Sequence, residues 1–341
     1  MQHRNNRYFY TFLAPKEKQL FETLFDGVLQ RKTCFDFDMR GMSVHNIEKT
    51  VEALVMDCPE LYNVKSWDLE WYANKIKFCS VDPFQYPAHE DALIRKKLDE
   101  IVAGFPDMSS DFDKELSIHN YLVKTCKYDV NYSSRPKGSR IDIENHSMVG
   151  PLIKNMGVCD GFAKAAQYLC LKLNIPVVFV IGESRNMSVY GGHAWLAVKI
   201  GGNYYHLDLS HDVCISEDLS TPRYSYFNVT DGEICKDHRW DRVKYKGVVC
   251  NSEIYNYYRK FNRYYATPAQ IRCAITQLID KAFRYETRVR VDFRVANVIS
   301  ENSVHDIIVS VAKSHRRVEG VSYCNSALNT YSATFSLSSP T

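Results

Sequence analysis

The chain has 341 residues, 45% of them hydrophobic and 24% charged, the balance of ordinary globular protein, with length for two or three domains. A formal net charge of +3 is too small to point to nucleic acid or to a membrane surface. The 11 cysteines, an odd number with no CxxC pair, argue against a disulfide framework or a zinc ribbon and fit a reducing compartment. The leading segment MQHRNNRYFYTFLAPKEKQLF lacks the apolar stretch of a secretory signal, and no apolar run reaches the ~20 residues of a spanning helix. The expected location is therefore cytoplasmic.

Residues 15–29 carry Leu20, Leu24, Phe25 and Val28 on one stripe, which predicts a helix. Ser43 is placed to cap a second helix, with Asn46 in its first turn, an apolar face of Ile47, Val51, Leu54 and Val55, and a stop before Pro59. Residues 63–78 read as one or two strands. Together these make a first α+β unit, residues 1–88, which ends at a linker marked by Pro83 and Pro87. Helices over about 91–102 and 111–126 open a second unit, residues 89–245, and a polar loop follows over 129–144.

The third unit, residues 255–341, starts with a predicted helix over 268–283, with Ile271, Ala274, Ile275, Leu278, Ile279 and Ala282 on one face. In the strand that follows, Tyr285, Thr287, Val289, Val291, Phe293 and Val295 alternate with Arg288, Arg290, Asp292 and Arg294. A helix around 304–314 and a strand around 331–337 complete an α-β-α-β module. Its arginine face reads as a solvated sheet surface balanced by Glu286 and Asp292; a surface for an acidic partner is the alternative.

The chemistry lies in the second unit. Gly157 and Gly161 punctuate the start of a segment in which Phe162, Ala165, Ala166, Leu169, Cys170 and Leu173 recur at helical spacing up to Pro176. Cys159 thus sits at or just before the first turn, where unpaired N–H groups and the helix dipole stabilise a thiolate. Two strands then flank Gly201-Gly202, a hairpin signal. If the glycines form a two-residue turn, Ile200 pairs with Asn203, the pairing runs back to His193 opposite Ser210, and Asp208 becomes the diagonal neighbour of His193. A thiol at a helix start, a strand histidine and an orienting carboxylate are what a cysteine nucleophile needs. Cys235 and His238 have metal-ligand chemistry but no second pair beside them, so no metal site is expected there, and no cofactor motif is present. His206 and His211 are candidates for the groove or for strand ends.

Gly157-Val-Cys-Asp-Gly-Phe-Ala163, Gly192-His-Ala-Trp195 and Tyr204-Tyr-His-Leu-Asp-Leu-Ser210 resemble the three core motifs of the transglutaminase-like superfamily. His146-Ser-Met-Val-Gly-Pro-Leu152 resembles the segment before the cysteine in bacterial members, and Tyr226-Phe-Asn-Val with Asp237-His-Arg-Trp240 resembles their closing motif. The resemblance implies an α+β, papain-like core: a nucleophile at a helix N-terminus packed on an antiparallel sheet, flanked here by smaller α+β units. It implies Cys159 as nucleophile, His193 as general acid/base and Asp208 as orienting carboxylate. Trp195, His206, Asp160 and Val149 are the expected substrate-binding positions, with no metal or cofactor. The implied activity is thiol-dependent acyl transfer on peptide or glutamine amide bonds of a protein or peptide substrate. Hydrolysis is expected rather than transamidation because the sequence shows no device for excluding water or binding a second substrate, and the alternative is an inactive peptide-binding or cell-wall-binding scaffold. Three positions depart from the pattern. Leu196 stands where asparagine is usual, Leu209-Ser210-His211 replaces a Thr-Trp or Ser-Trp ending, and Val149 stands where an aromatic is common.

Overall fold

The structure is a computed structural model that describes residues 6–186, 189–216, 221–282, 287–315 and 317–338. A short helix α1 (Tyr8–Thr11) precedes α2 (Pro15–Leu29), whose first position suits proline because that N–H has no helical partner anyway. Strand β1 (Cys34–Asp36) leads to α3 (Val44–Asp57). Ser43 caps α3: its Oγ accepts the Asn46 N–H at 3.2 Å, and the Asn46 Oδ1 accepts the Ser43 N–H at 2.9 Å. Strands β2 (Leu69–Tyr72) and β3 (Lys75–Phe78) complete an antiparallel sheet in the order β1-β3-β2. Leu20, Leu24, Val28, Ile47, Leu54, Ile76 and Phe78 are buried between these helices and the sheet. Three-residue β1 is too short to show a two-residue period, and the sequence pattern does not mark it.

The second cluster of buried residues is the largest. It begins with α4 (Ala88–Ala103), α5 (Asp111–Thr125), β4 (Lys127–Tyr128), α6 (Arg140–Asn145), β5 (Met156–Gly157) and α7 (Cys159–Lys172). Helix α6 lies inside the stretch expected to be loop; Ser139 caps it through the Asp142 N–H. Buried Phe162, Ala165, Ala166, Leu169 and Cys170 pack α7 in the core beside an antiparallel sheet. That sheet comprises β6 (Val177–Asn186), β7 (Val189–Ile200), β8 (Asn203–Leu207), β9 (Phe227–Val229) and β10 (His238–Trp240), in the order β10-β6-β7-β8-β9. Helices α8 (Leu209–Ile215) and α9 (Asp231–Ile234) lie between its last strands in sequence.

The β7–β8 hairpin turns at Gly201 and Gly202, with φ of 56° and 88°, conformations that glycine adopts without strain. Ile200 pairs with Asn203, and the register runs back to Leu196 opposite Leu207. There it ends, which corrects the expectation of a strand through Ser210. Asp208 leaves the sheet to cap α8, and its carboxylate accepts the His211 N–H at 3.1 Å.

The third cluster is built from α10 (Tyr257–Lys260), β11 (Tyr264–Tyr265), α11 (Pro268–Ala282), β12 (Arg288–Val295), α12 (Glu301–Ser314), β13 (Val318–Asn325) and β14 (Thr330–Leu337), with sheet order β11-β12-β14-β13. Ile271, Ile275, Ile279, Val304, Ile308 and Val311 of the two long helices meet Val289, Val291, Phe293 and Val295. Phe283, Tyr285 and Glu286 of the expected pattern lie outside the described residues. The arginine face of β12 is a contact with the second cluster, not an open solvated surface. Arg294 is buried and pairs with Glu233 at 2.9 Å, and buried Arg223 donates to Asp292 at 3.2 Å. Only at Arg288 is this face fully exposed. No helix among the described residues is long and apolar enough to cross a membrane.

Candidate active site

Cys159 is the first residue of α7, half-buried, with its backbone N–H among those that have no partner within the helix. The segment before it holds that end in place. Asn145 is tied to Asp129 at 2.7 Å, and its carbonyl accepts the Val158 N–H at 3.1 Å. At Gly161 a Cβ would lie 2.1 Å from the same carbonyl, so only glycine lets this chain approach the first turn of α7.

His193, on β7 and 8% exposed, places Nε2 2.6 Å from Asp208 Oδ2, and the Cys159 thiol is near enough to add to the basicity of its ring. Burial alone would discharge the ring; the Asp208 charge and hydrogen bond, joined by Cys159, outweigh it and lift the imidazole to about 10. The three residues singled out for catalysis are thus brought together, His193 and Asp208 by a hydrogen bond and Cys159 beside them.

Asp208 is fully enclosed. One oxygen accepts Ser210 Oγ–H at 2.7 Å and the His211 N–H at 3.1 Å. The other meets His193, His238 Nε2 at 3.0 Å and, at 3.8 Å, His211 Nε2. Burial opposes its charge, but the charges of His211 and His193 and the two ring hydrogen bonds hold it well below the usual carboxylate range. His238 in turn has Nδ1 2.6 Å from Asp237 Oδ1, and Asp237 Oδ2 accepts the Tyr226 hydroxyl at 2.6 Å. Burial works against a charged His238, and its bonds to the two aspartates raise its basicity overall. His211 is pushed down, by burial first and then by the charges of His193 and His238.

Sequence reasoning did not assign His238, Asp237 and Tyr226 to this row. The Asp237-His-Arg-Trp240 motif was the available signal for the first two. Cys235, the other half of the apparent metal pair, instead turns its thiol to the Gly232 carbonyl at 3.5 Å.

Of the four expected substrate-binding positions, Trp195 packs against the ring of His193 at 5.9 Å and Asp160 follows Cys159 in the first turn of α7. Val149, Trp195 and His206 are buried, at 0%, 1% and 1% exposure, behind the surface. The Trp195 indole donates to His206 Nδ1 at 3.1 Å, and His206 Nε2 lies 2.8 Å from Asp231. Asp160 is more open. It accepts the Gly161 N–H at 3.0 Å and pairs with His146 Nδ1 at 2.8 Å.

Two groups among the described residues have donor atoms close enough to hold a metal ion: His193, Asp208, His211 and His238, and separately His206, Asp231 and Cys250.

The profile of the transglutaminase-like superfamily matches residues 98–209, a span that contains Cys159, His193 and Asp208. No curated protein matches the chain. Among solved structures, a candidate cysteine protease from Cytophaga hutchinsonii is 23% identical over 37% of this chain and 40% of its own, with a TM-score of 0.26. A TGase is 16% identical over 42% of this chain and 43% of its own, with a TM-score of 0.29. The periplasmic domain of TgpA from Pseudomonas aeruginosa, bound to ethylmercury, is 13% identical over 43% and 64%, with a TM-score of 0.24. The likeness thus spans about two-fifths of the length of the first two.

Proposed function

We propose, for a chain whose residues 98–209 are a transglutaminase-like core, that Cys159, His193 and Asp208 perform thiol-dependent acyl transfer on peptide or glutamine amides, with water as the acceptor. The observation that carries this reading is the position of His193, bonded to Asp208 through Nε2 at 2.6 Å and near the Cys159 thiol at the start of α7. Cys159 Sγ attacks the amide carbonyl while His193 takes the thiol proton; His193 then delivers it to the departing amine, leaving a thioester. Asp208 holds the ring orientation and stabilises the imidazolium. The Cys159 backbone N–H, at the start of α7, supplies one donor to the developing oxyanion. Water admitted after the amine leaves completes hydrolysis.

The test is a peptide and glutamine-amide library incubated with wild type and Cys159→Ala, with and without a primary amine. Cysteine-dependent cleavage or ammonia release without amine incorporation supports the reading. Efficient amine incorporation replaces hydrolysis with transamidation. Peptide binding without turnover in either protein makes the core a binding module.

A further inference from the structure

We propose that His193, His211, His238 and Asp208 form a site for a divalent transition-metal cation of the zinc class, and that the bound ion silences the Cys159 thiol. The binding part stands independently of the proposed acyl transfer; the silencing part rests on it.

The three imidazoles converge on one point. One ring nitrogen of each and a carboxylate oxygen of Asp208 all lie within 4.8 Å of one another, and all three Nε2 atoms face Asp208 Oδ2. The ring centres are 4.9, 5.3 and 5.0 Å apart, with planes inclined at 63°, 63° and 51°. A tetrahedral zinc ion bound at ~2.0–2.1 Å to Nε2 sits roughly 3.2 Å from each ring centre, which puts three such centres roughly 5.2 Å apart. The observed triangle already has those dimensions. Asp208 Oδ2, at 2.6, 3.0 and 3.8 Å from the three nitrogens, straddles the roughly 3.3 Å edge of the same tetrahedron. Ion capture then needs small ring rotations, with the protons now shared between rings and carboxylate released to solvent.

The surroundings suit a metal. Asp237 orients His238 from behind and is itself held by Tyr226, the carboxylate–histidine arrangement that steers metal-binding imidazoles. His211, with 24% of its side chain exposed, is the way in; His193 and His238 are at 7% and 0%. Three imidazoles and a single carboxylate select zinc-class ions over calcium and magnesium, which prefer all-oxygen sets.

The consequence falls on His193. With Nε2 on the ion, its ring cannot take the thiol proton and become an imidazolium. The ion blocks proton transfer without touching sulfur.

The full chain is titrated with zinc against a chromophoric chelator, and cobalt(II) is added in a parallel sample. The expected result is one zinc ion bound per chain. Cobalt should show intense tetrahedral d–d absorption without a thiolate-to-cobalt charge-transfer band. His238→Gln and His211→Gln should each weaken zinc binding by more than about tenfold, the latter at the more exposed position and so the safer for folding. Cys159→Ser and Cys250→Ser should keep the affinity. No binding, binding that survives both histidine substitutions, or binding lost with either cysteine would overturn the site. Stoichiometric zinc should slow Cys159 alkylation in wild type but not in His211→Gln. Binding without that slowing would overturn the silencing part alone.

Discussion

Among the described residues, two clusters that each join cysteine, histidine and aspartate draw a histidine from the β7–β8 hairpin, and the two histidines are held differently. In the first, His193 offers Nε2 to Asp208 and stands near a half-buried thiol at a helix start. In the second, both nitrogens of His206 are already taken, by the Trp195 indole and by Asp231. Cys250 there is fully buried. Burial first, then the Asp231 charge and hydrogen bond, push its thiol far up. The imidazoles move in opposite directions: His193 up to about 10, His206 down, chiefly by burial. The same three residue types thus make the proposed proton-transfer row in one place and a buried hydrogen-bonded group in the other. What separates them is that both nitrogens of His206 carry hydrogen-bond partners, whereas the hydrogen bond of His193 to Asp208 uses Nε2.

The sharpest way to break this contrast is substitution of the two thiols. Cys159→Ala should lower peptide or glutamine-amide turnover by more than about a thousandfold, as loss of a nucleophile does, while Cys250→Ala should stay within a few-fold; equal losses would erase the distinction. The histidines come next. At pH 6, iodoacetamide should label Cys159 before the other ten cysteines, read by peptide mass spectrometry. His193→Ala should abolish that preference and His206→Ala should keep it.

A smaller effect is expected in stability against pH. His193, raised in the folded state, contributes stabilisation that is full below its unfolded value of ~6.5 and is lost as pH rises towards about 10. His206, depressed when folded, must be discharged on folding, so its contribution is lost as pH falls below ~6.5. Denaturant unfolding of His193→Gln should therefore flatten the alkaline side of the profile by on the order of a few kcal/mol. His206→Gln should flatten the acid side; the same sign for both would refute the assignment. The smallest effect belongs to Trp195→Phe, which removes the indole donor to His206. About 1–2 kcal/mol of stability should go, with alkylation of Cys159 nearly unchanged.

What could be read from the sequence was what neighbouring residues decide. The Ser43 cap, the Gly201-Gly202 turn and the start of α7 at Cys159 each depend on a handful of adjacent positions, and the structure has them where they were expected. Asp208 sits beside His193 as expected, but by a different route: the strand expected through Ser210 gives way to a helix cap, because Asp208 satisfies the end of α8. The strand β6 was missed although Val177–Val180 is an apolar run, since four such residues fit a buried helix segment as well as a strand. His238 reaches Asp208 across 30 positions, and no local period records such a contact. The burial of Arg294 was equally invisible. Strand alternation tells which residues share a face, not whether that face meets water or another part of the chain.

His238 lies on β10, the last strand of the central sheet to be made, yet it grips a carboxylate that precedes it by 30 positions. During vectorial synthesis, Asp208 therefore leaves the ribosome without one of its two ring donors. The nascent thiol at Cys159 waits for its support to be completed by residues made much later. A chain interrupted before β10 would carry the three residues of the row but leave Asp208 short of its final hydrogen bonds, so the finished site belongs to the completed domain rather than to the growing one.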